Sequence, residues 1–355
     1  MNFEEVSFKS NPNFRFKEIV TDKSDCLSST YQFDCYKDKN GEIILISPFF
    51  DYENILKQEH HISLINLQNN KVIKKLEGHK DRVVTVRYFQ DPSNKNDYFI
   101  SADRKYHIIV WDLNNECTKK LDIVVKYEGF IYSCLLIFEE KKMWAVVSSL
   151  GENNVTKVID VDNKDHICEI EDSRGLNIYF LAYWYNKDAL DNTQKHNIIQ
   201  CGKNKILISE FPANNTYHIL ETDEKHPYNL AGIVFKNKNR DILAVSATYG
   251  LIQFLDLATK TLVKVFESED VHLYSFIRWN DDYLLINDCL QRRILILDMK
   301  KDYRIKSKVL CPQMHFDRFI KKVDHPLYGE SILSIGIDFK IKLFINRNII
   351  CHKNN

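Results

Sequence analysis

Glycine and proline are scarce in this chain, 10 and 7 of 355 residues. Phosphate-cradling loops need closely spaced glycines so that backbone N–H groups can approach the anion, and no such loop is present. The strained Gly-x-Ser-x-Gly elbow of hydrolases is missing too. Nor is there an excess of charge of one sign: Lys+Arg and Asp+Glu are both 49, giving a formal net charge of zero. A partner held by bulk attraction to phosphates calls for a basic excess, so nucleic acid is not expected. No apolar run approaches the roughly 18 residues of a membrane span, so membrane insertion is not expected either. The stretch Met1-Asn2-Phe3-Glu4-Glu5 is acidic where a secretory signal is basic and then apolar. The cysteines, 9 in all, are scattered and never spaced Cys-x-x-Cys, which reads as free thiols of a reducing compartment. The expected location is therefore inside the cell, in cytoplasm or nucleus.

What the chain does contain is a repeat. Leu76-Glu77-Gly78-His79 is followed by a strand-like run and then by Ile109-Val110-Trp111-Asp112-Leu113. Strand endings of that last type, apolar then polar or acidic, recur along the chain. They read Ile65-Asn66-Leu67, Trp111-Asp112-Leu113, Ile159-Asp160-Val161, Ser209-Glu210-Phe211, Leu255-Asp256-Leu257, Leu297-Asp298-Met299 and Phe344-Ile345-Asn346. The steps between them are 42–50 residues, the length of a four-stranded propeller blade. Local patterns agree. Val83–Tyr88 alternates, Tyr98–Ser101 and His107–Trp111 are short β-branched or aromatic runs, and no long helical period is visible. With few glycines, hairpins are expected to turn on Asn, Asp and Lys, among them Asn69-Asn70 and Asn114-Asn115.

The Gly-His to Trp-Asp unit resembles one blade of the WD40-repeat family, and the seven units together resemble a degenerate seven-bladed β-propeller over residues 14–350. The expected fold class is all-β, with four-stranded antiparallel blades. Residues 1–13 are then an N-terminal arm and 351–355 a polar tail. The resemblance implies a structural tetrad of His, Ser/Thr, Asp and Trp. Blade 2 supplies His79, Ser101 and Trp111. Lys105 occupies the usual place of the Asp, so Asp103 serves only if the hairpin is longer. The seventh unit offers Ser334 and Asp338, with Phe344 in place of Trp. The resemblance also implies that the N-terminal strand, here Phe14–Val20, completes the last blade and removes exposed sheet edges.

No constellation of nucleophile, base and oxyanion donors is legible, so the protein is expected not to be an enzyme and to need no cofactor, metal or small-molecule ligand. His60 and His61 are adjacent and on a strand would point to opposite faces. Cys201 begins a hairpin and reads as a packed thiol. Interest moves to the rim formed by the fourth-to-first and second-to-third strand loops. Its expected basic residues are Lys80, Arg82, Arg104, Lys105, Arg174, Lys203, Arg292 and Arg293. Its rings include Phe49, Phe50, Tyr52, Tyr106, Phe130, Tyr228, Tyr249 and Phe316. Arginine with aromatics is the composition of interface hot spots. The candidate partner-binding residues are Phe49, Phe50 and Tyr52, in a long loop of blade 1, with Arg104, Tyr106, Arg292 and Arg293. The expected function is a protein-interaction scaffold within a larger assembly. The alternative is a reader of peptides or modified residues through an aromatic and basic pocket at the propeller mouth.

Overall fold

The computed structural model describes residues 17–18, 32–49, 60–126, 129–139, 142–151, 155–164, 167–189, 195–211, 216–221, 225, 228–267, 273–311, 319–326, 329–335 and 341–345. They form seven four-stranded antiparallel sheets, the blades of a β-propeller. Strand β1 (Lys17–Glu18) comes first in the chain. Blade 1 follows with β2 (Asp34–Lys37), β3 (Ile43–Pro48), β4 (His61–Asn66) and β5 (Lys71–Glu77). Blade 2 has β6 (Val83–Gln90), β7 (Asp97–Asp103), β8 (His107–Asp112) and β9 (Thr118–Val124). Blade 3 has β10 (Ile131–Glu139), β11 (Lys142–Ser149), β12 (Thr156–Asp160) and β13 (Ile167–Ile170). Blade 4 has β14 (Phe180–Tyr185), β15 (His196–Cys201), β16 (Lys205–Glu210) and β17 (Thr216–Glu221). Blade 5 has β18 (Asn229–Asn237), β19 (Arg240–Ala247), β20 (Leu251–Asp256) and β21 (Thr261–Glu267). Blade 6 has β22 (Leu273–Arg278), β23 (Tyr283–Asp288), β24 (Arg293–Asp298) and β25 (Arg304–Leu310). Blade 7 has β26 (Phe319–His325), β27 (Gly329–Ile335) and β28 (Ile341–Ile345).

The fourth strand of blade 7 is β1, which pairs antiparallel with β28 through Lys17 opposite Leu343 and Glu18 opposite Lys342. The chain therefore closes its last blade with its own N-terminal segment, as the sequence predicts, and β28 does not end as a bare edge.

The third strands β4, β8, β12, β16, β20, β24 and β28 end at Asn66, Asp112, Asp160, Glu210, Asp256, Asp298 and Ile345, the series read from the sequence. The recurrence has a local cause. A carboxylate or amide at the strand end turns back to accept N–H groups two or three residues on and shapes the hairpin to the fourth strand. Asn66 Oδ1 accepts from Gln68, Asp112 from Asn114, Asp160 from Asp162 and Asn163, Asp256 from Ala258 and Thr259, and Asp298 from Lys300 and Lys301. Positive φ falls on Asn70 and Lys260 in these hairpins. In blade 2 the expectation for Asn114-Asn115 is corrected: the left-handed residues are Glu116 and Cys117. Asn114 is held instead by its N–H to Asp112 and its side-chain amide to the Asp97 carbonyl.

The strands gather into two compact units. In residues 77–269, blades 2–5 follow one another. Blade 3 shows why their inner strands read as unbroken apolar runs. Cys134, Leu136, Ala145, Val147 and Ile159 pack toward blade 2 against Ile100, Ile108 and Val110. The alternate residues Leu135, Ile137, Trp144, Val146 and Val158 pack toward blade 4 against Leu181, Ile198 and Phe211. Side chains that alternate across a strand here meet a core on each face. Fourth strands, as in β5 and β9, are mostly exposed and correspondingly polar. The other unit, residues 270–355 with 1–76, holds blades 6, 7 and 1 and repeats the scheme. Ile277, Leu285 and Ile296 pack on Ile320, Ile332 and Phe344. Leu333, Ile341 and Leu343 pack on Phe33, Leu45 and Ile65.

Candidate functional site

Blade 2 brings four polar side chains together beneath its hairpins. Gly78 has φ +146°, and a Cβ there would run into the Lys119 side chain, so only glycine delivers the chain to His79 in this position. His79 Nδ1 lies 3.3 Å from Asp103 Oδ2 and Nε2 lies 2.7 Å from Ser101 Oγ. Trp111 Nε1 donates to the same hydroxyl at 2.9 Å, and the indole stacks on Phe99 at 5.7 Å. Asp103 thus fills the carboxylate role that Lys105 left open. Its Oδ1 accepts N–H from Lys105 at 2.9 Å and from His107 at 3.0 Å. The Lys105 side chain faces outward, 3.6 Å from Asp81. Burial lowers the pKa of His79, outweighing the opposite pull of Asp103. For Asp103, burial pushes upward, but the hydrogen bonds from His79 and from the backbone of His107 and Lys105 win and hold its pKa below the ordinary carboxylate value. In blade 7, Ser334 and Phe344 are buried, and Asp338 lies outside the described residues.

A third imidazole, His107, joins this group. Its Nδ1 faces Asp103 Oδ2 at 3.8 Å, and its Nε2 meets Asp122 Oδ1 at 2.5 Å. Ligand atoms of His79, Asp103 and His107 all lie within 4.8 Å of one another, and all three residues are buried. Sequence reading assigned His107 to a strand and gave it no role.

The rim of blades 2–5 carries a second assembly. Tyr132, the extra residue in the bulge of β10, meets Tyr179 edge to face at 5.2 Å. Tyr179 in turn meets Tyr228 edge to face at 5.7 Å. All three rings are half-buried. Offset edge-to-face pairs are favourable beyond their area because ring edges are positive and faces negative. The backbone beneath is pinned. Tyr179 N–H donates to the Cys201 carbonyl, Thr248 N–H to that of Tyr228, and the Asn229 amide to that of Gly202. Burial, followed by the neighbouring Tyr228 and Tyr132, pushes Tyr179 up to about 12, so its hydroxyl is neutral near pH 7. Phe130, two residues before Tyr132, is exposed and lies under the Arg104 guanidinium at 4.8 Å. Lys203, bridged to Tyr228 through the backbone, is exposed beside the far end of the row. Phe130, Tyr228, Arg104 and Lys203 are legible from sequence as rim residues; Tyr132 and Tyr179 are not among them. A signal existed. Tyr132, Tyr179 and Tyr228 are 47 and 49 residues apart, the step of the blades themselves.

The remaining candidates are placed separately. Tyr106 has φ +65° and packs partly against the core between blades 2 and 3, so it is less exposed than its hairpin position implies. Phe49 folds back on its own blade, stacking on His61 at 4.3 Å with Lys75 over its ring at 5.8 Å. Phe50 and Tyr52 lie outside the described residues. Arg292 is exposed at φ +48°. Arg293 is half-buried, and its Nε donates to the buried Asp288 at 2.7 Å, an internal hairpin clamp.

Among the described residues the cysteines are not joined in disulfides. Burial pushes Cys35 up to about 12, Cys134 to about 11, and Cys201 higher still, so none is poised as a nucleophile. The acidic pair Asp281-Asp282 is split between Arg278 and Lys300 on the surface. Among the described residues no helix is long and apolar enough to cross a membrane. No protein-family model matches the chain, and no curated protein matches it.

Proposed function

We propose that this protein is a non-catalytic interaction scaffold, a divergent WD40-like propeller that works inside the cell by holding another protein on the rim of blades 2–5. The observation that carries this reading is the edge-to-face row of Tyr132, Tyr179 and Tyr228, with Arg104 over Phe130 beside it. Half-exposed rings on a hydrogen-bonded backbone present apolar area at little cost in conformational entropy, and tyrosine and arginine are the residues that dominate binding energy at interfaces. Exposed Lys80, Arg104, Lys105 and Lys203 on this rim favour an acidic partner segment. The rings press against one another in sequence. A cage for a methyl-ammonium group instead surrounds one point within about 6 Å, so the row suits an extended peptide better than a single modified side chain.

The test is affinity purification of the tagged chain, compared with a Tyr132→Ala/Tyr179→Ala double variant whose folding is checked by circular dichroism. A second comparison changes Phe49, Phe50 and Tyr52 to Ala. A stoichiometric partner lost in the tyrosine variant, and released by raised salt, supports the reading. Retention of the same partners, or absence of any stoichiometric partner of the unaltered chain, overturns it.

A further inference from the structure

We infer that His79, Asp103 and His107 form a binding site within blade 2 for a divalent transition-metal ion of the zinc class. The inference is independent of what docks on the rim. Three donor atoms of suitable chemistry face one another: His79 Nδ1, His107 Nδ1 and Asp103 Oδ2. A tetrahedral zinc ion bonding nitrogen and oxygen at roughly 2.0–2.1 Å sets its ligand atoms about 3.3 Å apart. His79 Nδ1 and Asp103 Oδ2 already stand at 3.3 Å and His107 Nδ1 and Asp103 Oδ2 at 3.8 Å; the set as a whole lies within 4.8 Å, so the two imidazoles draw together when an ion binds. The two imidazoles are edge to face, 5.3 Å apart at 69°, so their lone pairs approach from different directions.

Next comes an unmet bonding need. His107 Nδ1 is buried and makes no hydrogen bond, although its side chain is only 5% exposed. A buried polar atom left so is costly, and this one is aimed at the Asp103 carboxylate beside His79. An ion bound there would satisfy it.

The outer partners are also those of a metal site. Ligating histidines almost always donate their second nitrogen to a carboxylate, carbonyl or hydroxyl, which fixes the tautomer. His107 Nε2 has Asp122 Oδ1 at 2.5 Å, and Asp122 Oδ2 is held in turn by Lys119 at 2.8 Å. His79 Nε2 has Ser101 Oγ, and that hydroxyl can pass its own hydrogen to the Ile109 carbonyl at 3.3 Å. Binding would exchange the His79–Asp103 hydrogen bond for bonds to the ion: with both Nε2 atoms donating, both Nδ1 atoms then present lone pairs to it. Asp103 is fixed by the two N–H groups on its Oδ1 and by the Lys80 N–H on Oδ2 at 3.2 Å. Lys119, a cation beside His79, is paired with Asp122. Two imidazoles and one carboxylate suit zinc and its neighbours and not calcium or magnesium, which take oxygen. Three protein donors leave the fourth tetrahedral position to water.

The test uses the full chain stripped with a chelator and dialysed against zinc chloride or cobalt chloride alone. One metal ion retained per chain is expected, with a raised melting temperature and, for cobalt, the strong visible absorption of a tetrahedral centre. His107→Gln should lose the retained ion and the absorption. Asp122→Asn leaves the three ligands in place and should bind zinc about 10–100-fold more weakly. A wild-type chain that keeps no zinc overturns the inference. So does a His107→Gln chain that keeps as much as wild type, which would place the ion on surface histidines. Should His107→Gln fail to fold, unchanged zinc affinity in Asp122→Asn overturns it equally.

Discussion

Ser133 Oγ, on the first strand of blade 3, accepts the backbone N–H of Leu181, on the first strand of blade 4, at 3.1 Å. Ser275 does the same for Ile320 between blades 6 and 7, also at 3.1 Å. Both serines sit where the first strand breaks register, so the bulge aims the hydroxyl at the next blade. Arg87 extends the linkage, its guanidinium donating to the carbonyls of Cys134 and Leu181 at 3.0 Å each. Blades 2–4 within one unit and blades 6 and 7 within the other are thus joined by hydrogen bonds at their first strands as well as by apolar packing.

Ser133→Ala and Ser275→Ala each leave a buried N–H without its acceptor, which costs about 1–3 kcal/mol. Urea unfolding should show a lower midpoint with an unchanged slope for both. A midpoint within error of wild type would remove the serines from the account of blade packing.

The His79–Asp103 pair gives blade 2 an acid sensitivity of definite sign. Asp103 has a lowered folded-state pKa, so its contribution is present above the unfolded carboxylate value and is lost as pH falls through the folded one. His79 is also lowered, so the unfolded chain takes its proton first, and stability declines as pH drops below the ordinary histidine range. Melting temperature should fall from pH 7 toward pH 4 in wild type as the unfolded histidine takes its proton, and the further fall from pH 4 to pH 2 should be less steep in Asp103→Asn, which starts lower. Lys105→Ala should follow the wild-type curve, because its side chain is on the surface.

Removal of residues 1–22 takes away β1 and exposes the hydrogen-bonding edge of β28. The melting temperature should fall substantially, and the truncated chain should associate at high concentration, as open sheet edges do. An unchanged melting curve, monitored by circular dichroism, would mean that the strand does not contribute to closure.

Thiol labelling should divide the cysteines by burial. At pH 8 the raised pKa values of Cys35, Cys134 and Cys201 leave almost no thiolate, and Cys134 and Cys201 are buried besides. Brief alkylation of the native chain followed by peptide mass spectrometry should leave these three unmodified and label half-buried Cys117 ahead of them. Rapid labelling of Cys201 would contradict its placement in the core between blades 4 and 5.

Much of the architecture is written locally. The apolar-then-acidic strand endings count the blades because each Asp or Asn makes its own hairpin within three residues, a device that needs no distant partner. Apolar runs identify inner strands because both faces are covered. The orphan alternating segment at the N-terminus and the missing fourth strand of blade 7 together imply closure. What remained hidden depends on register and on neighbours about fifty residues away. Sequence spacing puts Lys105 in the carboxylate position, but the pairing of Val83 with Asp103 and the turn of the hairpin bring Asp103 to His79. The same turn folds His107 over Asp103, a contact that a strand pattern cannot show. Tyr132, Tyr179 and Tyr228 repeat at the blade period, yet only the packing of neighbouring first strands makes them one row. The sequence by itself determined how many blades there are and where each turns, because those are short-range hydrogen bonds and burial patterns. Only the tertiary structure decided which side chains meet, because blade packing brings residues distant in the chain within reach of one another.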